Sequence, residues 1–175
     1  IHNFSRLQHV ADEPLPIFPQ LETLRFWDSG TPNLHPAIVW AQAGPFGLNI
    51  LGSRVATNLG TQEFIEDEVL PFQRRYFPAE ATPVRSVKGF QKAIHRAWRW
   101  RNIGDPSCLT PEGTSSQRTV ALVIQEMLGG GFEPGPQDWD RVRQAMLALF
   151  LKAGKGDRKR FVQVDPTENE ILIRG

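Results

Sequence analysis

The sequence predicts a mainly helical α+β domain that ends in a β-hairpin, and three observations support this fold class. Capping residues and glycine stops bracket three helical stretches in the second half of the chain. Two short apolar runs, separated by turn residues, follow the last of these helices. A hydrophobic share of 40% with 22% charged residues is typical of a globular chain.

Each predicted helix of the second half has a start and a stop signal. Thr82 and Pro83 supply an N-cap and a first-position proline, and the helix that they open reaches about Asn102. Two more helices are expected over residues 115–128 and 136–153, each followed by glycine. Strands are predicted over 161–164 and 171–173, with the turn residues Pro166, Thr167, Glu168 and Asn169 between them.

The first half of the chain is irregular, so we divide the sequence into a Pro-rich N-terminal extension or subdomain, 1–82, and a helical domain with a C-terminal hairpin, 83–175. Residues 14–19 are expected to be extended, and Leu21–Trp27 stays open between helix and strand. A short helix is predicted over 35–42 and a short strand after Gly44. Another helix should begin at Gln62, capped by Thr61, and end or kink at Pro71.

The strongest functional signal is the charge pattern of the predicted helix over 83–102. Five cations share one arc of this helix, and no acidic residue occurs from Thr82 to Asn102. Like charges one turn apart repel, so the arc calls for a negative partner, and phosphate is the natural one. Trp100 lies beside the arc as a possible stacking surface for a base. The five cations are Arg85, Lys88, Lys92, Arg96 and Arg99.

A second basic cluster follows the third predicted helix and enters the predicted hairpin. Beside Lys152 it contains Lys155, Arg158, Lys159 and Arg160. An alternative stays open, because the acidic segments Glu63–Glu68 and Asp165–Glu170 could neutralise the basic residues within the chain. That pairing would account for the net charge of +1 without any external partner.

The order of three helices and a hairpin is similar to that of winged-helix domains. This resemblance implies that residues 115–128 and 136–153 form the helix-turn-helix pair and that 161–173 form the wing. The third helix, in the recognition position, is apolar nearly all round and begins with Asp138 and Asp140. Those features favour a structural or interaction role for it over the reading of DNA.

The sequence predicts no catalytic residue, metal site or cofactor. A single cysteine excludes a Cys-rich zinc site, and Gly154-Lys155-Gly156 lacks the rest of a phosphate-binding loop. Cys108 could form a catalytic pair with His95, oriented by Asp105, or it could be an inert thiol. The inert thiol is favoured. Acid pairs for hydrolysis could be drawn from Glu63, Glu66, Asp67 and Glu112.

Three functional hypotheses follow. The first is a nucleic-acid-binding module, for RNA or DNA, that uses the basic helix to contact the phosphate backbone. The second is a structural or scaffolding module that binds another protein or a second copy through its Pro-rich arm and aromatics. The third is a nuclease or other hydrolase without a recognisable motif. No membrane association is expected, and an intracellular location, cytoplasmic or nuclear, is the default.

Overall fold

A six-stranded mixed sheet is the centre of the molecule in the computed structural model. The structure describes residues 4–30, 35–78, 80–85, 91–96, 98–111, 118–157 and 159–174. The strands of the sheet stand in the order β7-β6-β1-β2-β3-β8. Their bounds are β1 Thr23–Asp28, β2 Ala37–Gly44, β3 Gly47–Val55, β6 Trp100–Gly104, β7 Phe132–Pro134 and β8 Val162–Val164.

Only β2 runs against the other strands of this sheet. It pairs antiparallel with β1 and with β3, whereas β6 is parallel to β1, β7 is parallel to β6, and β8 is parallel to β3. The carboxyl ends of five strands therefore meet at one edge of the sheet, which we call the carboxyl edge. Side chains that follow parallel strands are brought together at such an edge.

Helices complete the hydrophobic core of the sheet. They are α1 Arg6–His9, α2 Thr61–Phe64, α3 Leu70–Tyr76, α4 Val120–Leu128, α5 Trp139–Leu151 and α6 Glu170–Arg174. Buried residues of α2, α3 and α4 share one core with residues of β1, β2 and β3. The buried ring of Trp40 stacks on that of Phe72 with centroids 4.1 Å apart. Gly52 permits this approach, because a Cβ there would lie 2.4 Å from the Phe72 ring. Within the described residues no helix is long and apolar enough to cross a membrane.

The helical stretch from α2 to α3 passes through Pro71 without ending. A π-helical segment, Ile65–Val69, joins α2 to α3. Proline lacks the N–H that an α-helix would bond four residues back, and a wide turn just before it accommodates that loss. The predicted helix is therefore confirmed, but Gly60 and not Thr61 is its N-cap.

The predicted mainly α fold with winged-helix order is wrong, because the helix expected over 83–102 does not form. The chain instead holds the hairpin of β4, Glu80–Arg85, and β5, Gln91–Arg96, followed by β6. β6 pairs with β1 from Trp100 opposite Thr23 to Gly104 opposite Trp27. Long-range pairing within the main sheet outweighs the local helical periodicity.

The predicted C-terminal hairpin is also wrong. β8 pairs parallel with β3, from Val162 opposite Leu48 to Val164 opposite Ile50. The second predicted strand is the helix α6, in which Arg174 pairs with Glu170 at 2.6 Å. Short apolar runs do not by themselves distinguish strand from helix, and an i,i+4 ion pair favours the helix here.

The remaining predictions are partly confirmed. The second helix predicted for the C-terminal half is α4, and its N-cap is Thr119. The third is α5, and its N-cap is Asp138. The strand predicted after Gly44 is β3, whereas the helix predicted over 35–42 is the strand β2. The open stretch 21–27 contains most of β1.

Candidate active site at the carboxyl edge

Two aspartates stand where the neighbouring parallel strands β1 and β6 end. Asp28 is the last residue of β1, and Asp105 follows the last residue of β6. The Asp105 N–H donates to the Trp27 carbonyl at 3.1 Å, so the strand pairing continues to the base of both loops. The topology thereby brings the two carboxylate-bearing loops side by side.

Each aspartate is held by donors of its own loop. Asp28 Oδ1 accepts from the Gly30 N–H at 2.9 Å, and Gly30 has a φ of +62°, which glycine tolerates. Asp105 Oδ1 accepts from the Ser107 N–H at 2.8 Å and caps the 3₁₀ helix Pro106–Leu109. Hydrogen bonds from Ser107 hold the pKa of Asp105 below its ordinary value, so this carboxylate stays ionised.

The two loops are also joined to each other. The hydroxyl groups of Ser29 and Ser107 are 3.0 Å apart. Cys108 is fully buried between the loops, and its pKa is raised to about 11, mainly by desolvation and then by the charges of Asp105 and Asp28. A thiol in this state is not a nucleophile at neutral pH, which agrees with the inert thiol favoured by the sequence.

A third strand ends beside these loops. The Gly135 N–H, which follows β7, donates to the Gly104 carbonyl at 2.7 Å. Three residues later Asp138 caps α5 by accepting from the Arg141 N–H at 3.1 Å. Asp138 and Asp140 therefore begin α5 from the same edge of the sheet that carries Asp28 and Asp105.

A buried polar cluster lies in the middle of β1 and β6, three residues before the two aspartates. Asn102, in β6, accepts from the indole N–H of Trp27 at 3.1 Å and donates to the carbonyls of Gly129 and Gly131 at 3.2 and 3.0 Å. Arg25, also fully buried, donates to the Gly129 carbonyl at 3.1 Å. We call residues 129–131, between α4 and β7, the glycine turn.

The donor set of the edge suits a hard divalent cation. Carboxylate oxygens are the ligands that Mg²⁺ and Mn²⁺ prefer, and Mg²⁺ is commonly held by one or two carboxylates together with phosphate oxygens of a substrate. Among the described residues no group of three or more His, Cys, Asp or Glu side chains could hold a metal ion by itself. The edge thus fits a cation shared with a ligand, not a closed metal cage.

The basic residues predicted to bind nucleic acid are not gathered on a helix. Arg85 belongs to β4, Lys92 and Arg96 belong to β5, and Lys88 lies outside the described residues. Arg99 is exposed and donates to the Gln20 carbonyl. Trp100 is half-buried, with the Arg25 guanidinium 4.6 Å from its ring centroid and Phe77 edge-on at 4.9 Å.

The second basic cluster mainly ties the N-terminal helix α1 and its following loop to the rest of the chain. Lys159 pairs with Asp12 at 3.0 Å, and Arg160 donates to the Gln8 side chain at 2.8 Å. Lys155 is exposed, and Arg158 lies outside the described residues. Of the predicted acids, Glu63, Glu66 and Asp67 are exposed in the α2 region, where Glu63 accepts from the Gly60 N–H and Glu66 from Gln62, and Glu112 lies outside the described residues.

Sequence reasoning missed Asp28 and considered Asp105 only as an orienter for His95 and Cys108. One signal was available: each aspartate follows an apolar stretch, in Phe26-Trp27-Asp28 and in Ile103-Gly104-Asp105, and each precedes a turn residue. Such a residue marks the carboxyl end of a strand when the stretch is a strand. The helix predicted over 83–102 included the first three residues of β6, so Ile103 and Gly104 were not seen as the end of a strand.

Comparison with family models and with curated proteins finds no match. Among solved structures, the chain is similar to the large terminase of a thermophilic bacteriophage, with a TM-score of 0.55 and 14% identity over 94% of this chain. The ADP complex of that terminase has a TM-score of 0.54 at 15% identity, and its ATP-γ-S complex has a TM-score of 0.54 at 14% identity. The chain spans about a third of the terminase length, 32–33%.

At this identity the likeness concerns the fold alone. It shows that the mixed α/β sheet is shared with part of a phage large terminase, and it overturns the winged-helix order and the nucleic-acid binding by a basic helix that was predicted with it. RNA binding has no support from these neighbours.

Proposed function

We propose that this chain is a nuclease-type module that acts on DNA at the carboxyl edge of its sheet. The observation that carries the proposal is the pair Asp28 and Asp105, brought together by neighbouring parallel strands whose loops are joined by hydrogen bonds. Unlike the acid pairs drawn from the sequence, these two carboxylates share one place in the fold. The fold likeness to a phage large terminase, a DNA-processing protein, supports DNA as the substrate class.

In this proposal Asp28 and Asp105 would hold a divalent cation, and the phosphate of the substrate would supply further oxygen ligands. Such a cation polarises a phosphodiester and lowers the pKa of a bound water. The hydrogen bond between the Ser29 and Ser107 hydroxyls joins the two loops that carry these carboxylates.

The cations predicted from the sequence remain candidates for DNA contact in a new setting. Arg85 belongs to β4, and Lys92 and Arg96 belong to β5; cations of these strands remain candidates for contact with phosphate. Contacts of this kind position DNA without reading its sequence. An intracellular location would accord with a DNA substrate.

Nucleotide binding is the second candidate, because two of the neighbouring structures hold ADP or ATP-γ-S. This chain covers a third of those proteins, and its Gly154-Lys155-Gly156 lacks the upstream glycine and the downstream Ser or Thr of a phosphate-binding loop. Calorimetric titration with ADP and Mg²⁺ tests this candidate directly. Saturable binding that survives Asp28→Asn and Asp105→Asn would favour it over the nuclease.

The test of the nuclease is cleavage of supercoiled and linear duplex DNA in Mg²⁺ or Mn²⁺. We expect nicked and linear products, and we expect Asp28→Asn and Asp105→Asn each to lower the rate by about 100-fold or more. Asparagine keeps an oxygen for the Gly30 and Ser107 N–H groups and caps as well as aspartate, so both variants should fold.

Asp12→Asn is the matched control, because Asp12 is exposed and pairs with Lys159 beside β8, three strands away from β1 in the sheet. It should cleave as the unaltered chain does. Absence of divalent-dependent cleavage, or cleavage that survives both Asp28→Asn and Asp105→Asn, would refute the proposal.

A further inference from the structure

Asn102, a buried amide in β6 three residues before Asp105, bonds to β1 and to the turn that leads into β7. Asn102 is fully buried, belongs to β6, and contacts Trp27 of β1 and the glycine turn that leads into β7. β7 begins at Phe132, one residue after Gly131. Asn102 therefore links β6, through side-chain hydrogen bonds, to β1 and to the segment that begins β7.

Only an amide satisfies all the partners of this position. Trp27 presents an indole N–H and needs an acceptor, whereas the carbonyls of Gly129 and Gly131 need donors. An asparagine side chain has one carbonyl oxygen and two N–H groups, which matches this demand. An aspartate would lose both donors and place a charge against two carbonyls, and a leucine would remove the bonds to the Trp27 N–H and the Gly131 carbonyl and leave Gly129 with Arg25 alone.

Arg25 reinforces the same turn from β1. Its Nη2 donates to the Gly129 carbonyl, which thus accepts from two buried side chains, and its guanidinium lies over the Trp100 ring. Burial lowers the pKa of Arg25 to about 10, so the group remains charged at neutral pH. The turn itself requires glycine, because Gly129 and Gly130 have φ angles of +67° and +83°.

The position of the cluster connects it to the carboxylates. Trp27 lies immediately before Asp28, and its carbonyl accepts the Asp105 N–H. Gly104, immediately before Asp105, packs against Trp27 and the Phe132 ring and accepts the Gly135 N–H. A displacement at Asn102 therefore reaches both aspartates through one or two residues of strand.

We propose that Asn102 is a positioning residue for the proposed nuclease: its buried amide sets the register of β1, β6 and β7 and thereby the spacing of Asp28 and Asp105. The role rests on the proposed function for its chemistry and on the hydrogen bonds above for its geometry. Outer-sphere groups that orient metal-binding carboxylates commonly change metal affinity or activity by 10- to 100-fold when removed.

The test compares two buried asparagines of the same sheet. Asn49, in β3, is also fully buried, and its amide atoms have no hydrogen-bond partner in the described part of the chain. Asn102→Leu should raise the Mn²⁺ concentration for half-maximal cleavage about 10-fold and speed amide hydrogen exchange at residues 103–105 and 132–135. Asn49→Leu should change neither quantity.

Trp27→Phe is the second variant, and it tests the positioning role of Asn102 if Asn102→Leu fails to fold. It keeps an aromatic ring, smaller than the indole, and removes the N–H that Asn102 accepts, so the same two readouts should move in the same direction by a smaller amount. Thermal unfolding of each variant separates a change of register from a general loss of stability.

Each outcome bears on one of the two proposals. If the unaltered chain does not cleave DNA in any divalent cation, the proposed function and the positioning role fail together. If it cleaves, and folded Asn102→Leu and Trp27→Phe keep its Mn²⁺ dependence and exchange pattern, the positioning role alone is refuted. An equal effect of Asn49→Leu would also refute it, since any buried amide of the sheet would then serve.

Discussion

The carboxyl edge of the sheet carries acidic residues on two flanks, and their partners differ. On the β3–β8 flank, Glu168 accepts from the Arg54 guanidinium at 2.5 Å and from the Tyr76 hydroxyl, with Arg75 at 4.0 Å. On the β1–β6 flank, Asp28 and Asp105 accept from backbone N–H groups of their own loops. No ion pair involves either aspartate in the part of the chain that is described.

This difference separates a structural carboxylate from an available one. The charge of Glu168 is neutralised by cations within the molecule, and its side chain is only 13% exposed. The charges of Asp28 and Asp105 are fixed in place by neutral donors and keep their attraction for a cation from solution. The same edge thus stabilises the fold at one flank and offers a binding place at the other.

The strongest test of this contrast is Glu168→Gln. Glutamine keeps the size of the side chain but leaves Arg54 with Glu68, at 3.8 Å, as its carboxylate. We expect the free energy of unfolding to fall by about 1–3 kcal/mol, because a half-buried guanidinium loses its charged partner. Urea denaturation measures this, and DNA cleavage per folded molecule should stay unchanged. A variant as stable as the unaltered chain would contradict the structural role of Glu168.

A smaller effect is expected in the pH dependence of stability. Burial acts to raise the pKa of Glu168, but the hydrogen bonds from Tyr76 and Arg54 and the arginine charges outweigh it, so the pKa falls below its ordinary value of 4.5. A depressed folded pKa contributes stability above about pH 4.5 that is lost as the pH falls through the folded value. Glu168→Gln should therefore remove part of the acid-side decline, measured by denaturation between pH 3 and 7 (roughly the window of carboxylate titration).

Tyr76, which donates to Glu168, should make stability depend on pH at the alkaline side. Desolvation and then the bond to Glu168 raise the pKa of Tyr76 above its ordinary value of 10.0. A raised folded pKa contributes stability that is present below that value and lost as the pH rises through the folded one. The flank is therefore most stable between the two titrations.

The smallest effect is expected at the N-terminal helix. Lys159 and Asp12 form an exposed pair, with side chains 45% and 82% accessible. We expect Lys159→Ala to change the free energy of unfolding by no more than about 0.5 kcal/mol, because solvent screens such pairs. A loss above about 1 kcal/mol in the same denaturation assay would place this pair in the structural class of Glu168.

The sequence predicted those elements whose signals are local. The Thr119–Leu128 and Asp138–Leu151 stretches carry caps and glycine stops, and both form helices close to the expected bounds. Alternation of Phe46, Leu48 and Ile50 predicted β3. In each case the residues that decide the structure are neighbours in the chain.

The fold class and the candidate site depend on partners far apart in the chain. β6 is a strand because it pairs with β1, about 75 residues earlier, and β8 because it pairs with β3. The spacing of the cations over residues 85–99 matches one face of a helix, but it gives no information on which strands pair in the sheet. Asp28 and Asp105 become one site only when β1 and β6 are adjacent, so local patterns could not join them.

The wide turn before Pro71 has a consequence for the direction in which α3 faces. A π-helical turn takes in one more residue than an α-helical turn, and each residue of a helix advances its side chains by about 100°. The apolar stripes of α2 and α3 are therefore out of phase by about that angle along the sequence, although Phe64 and Phe72 are both buried. Removing one residue from Ile65–Val69 would turn Phe72 away from Gly52 and Trp40, so the length of this segment is as constrained as the identity of its side chains.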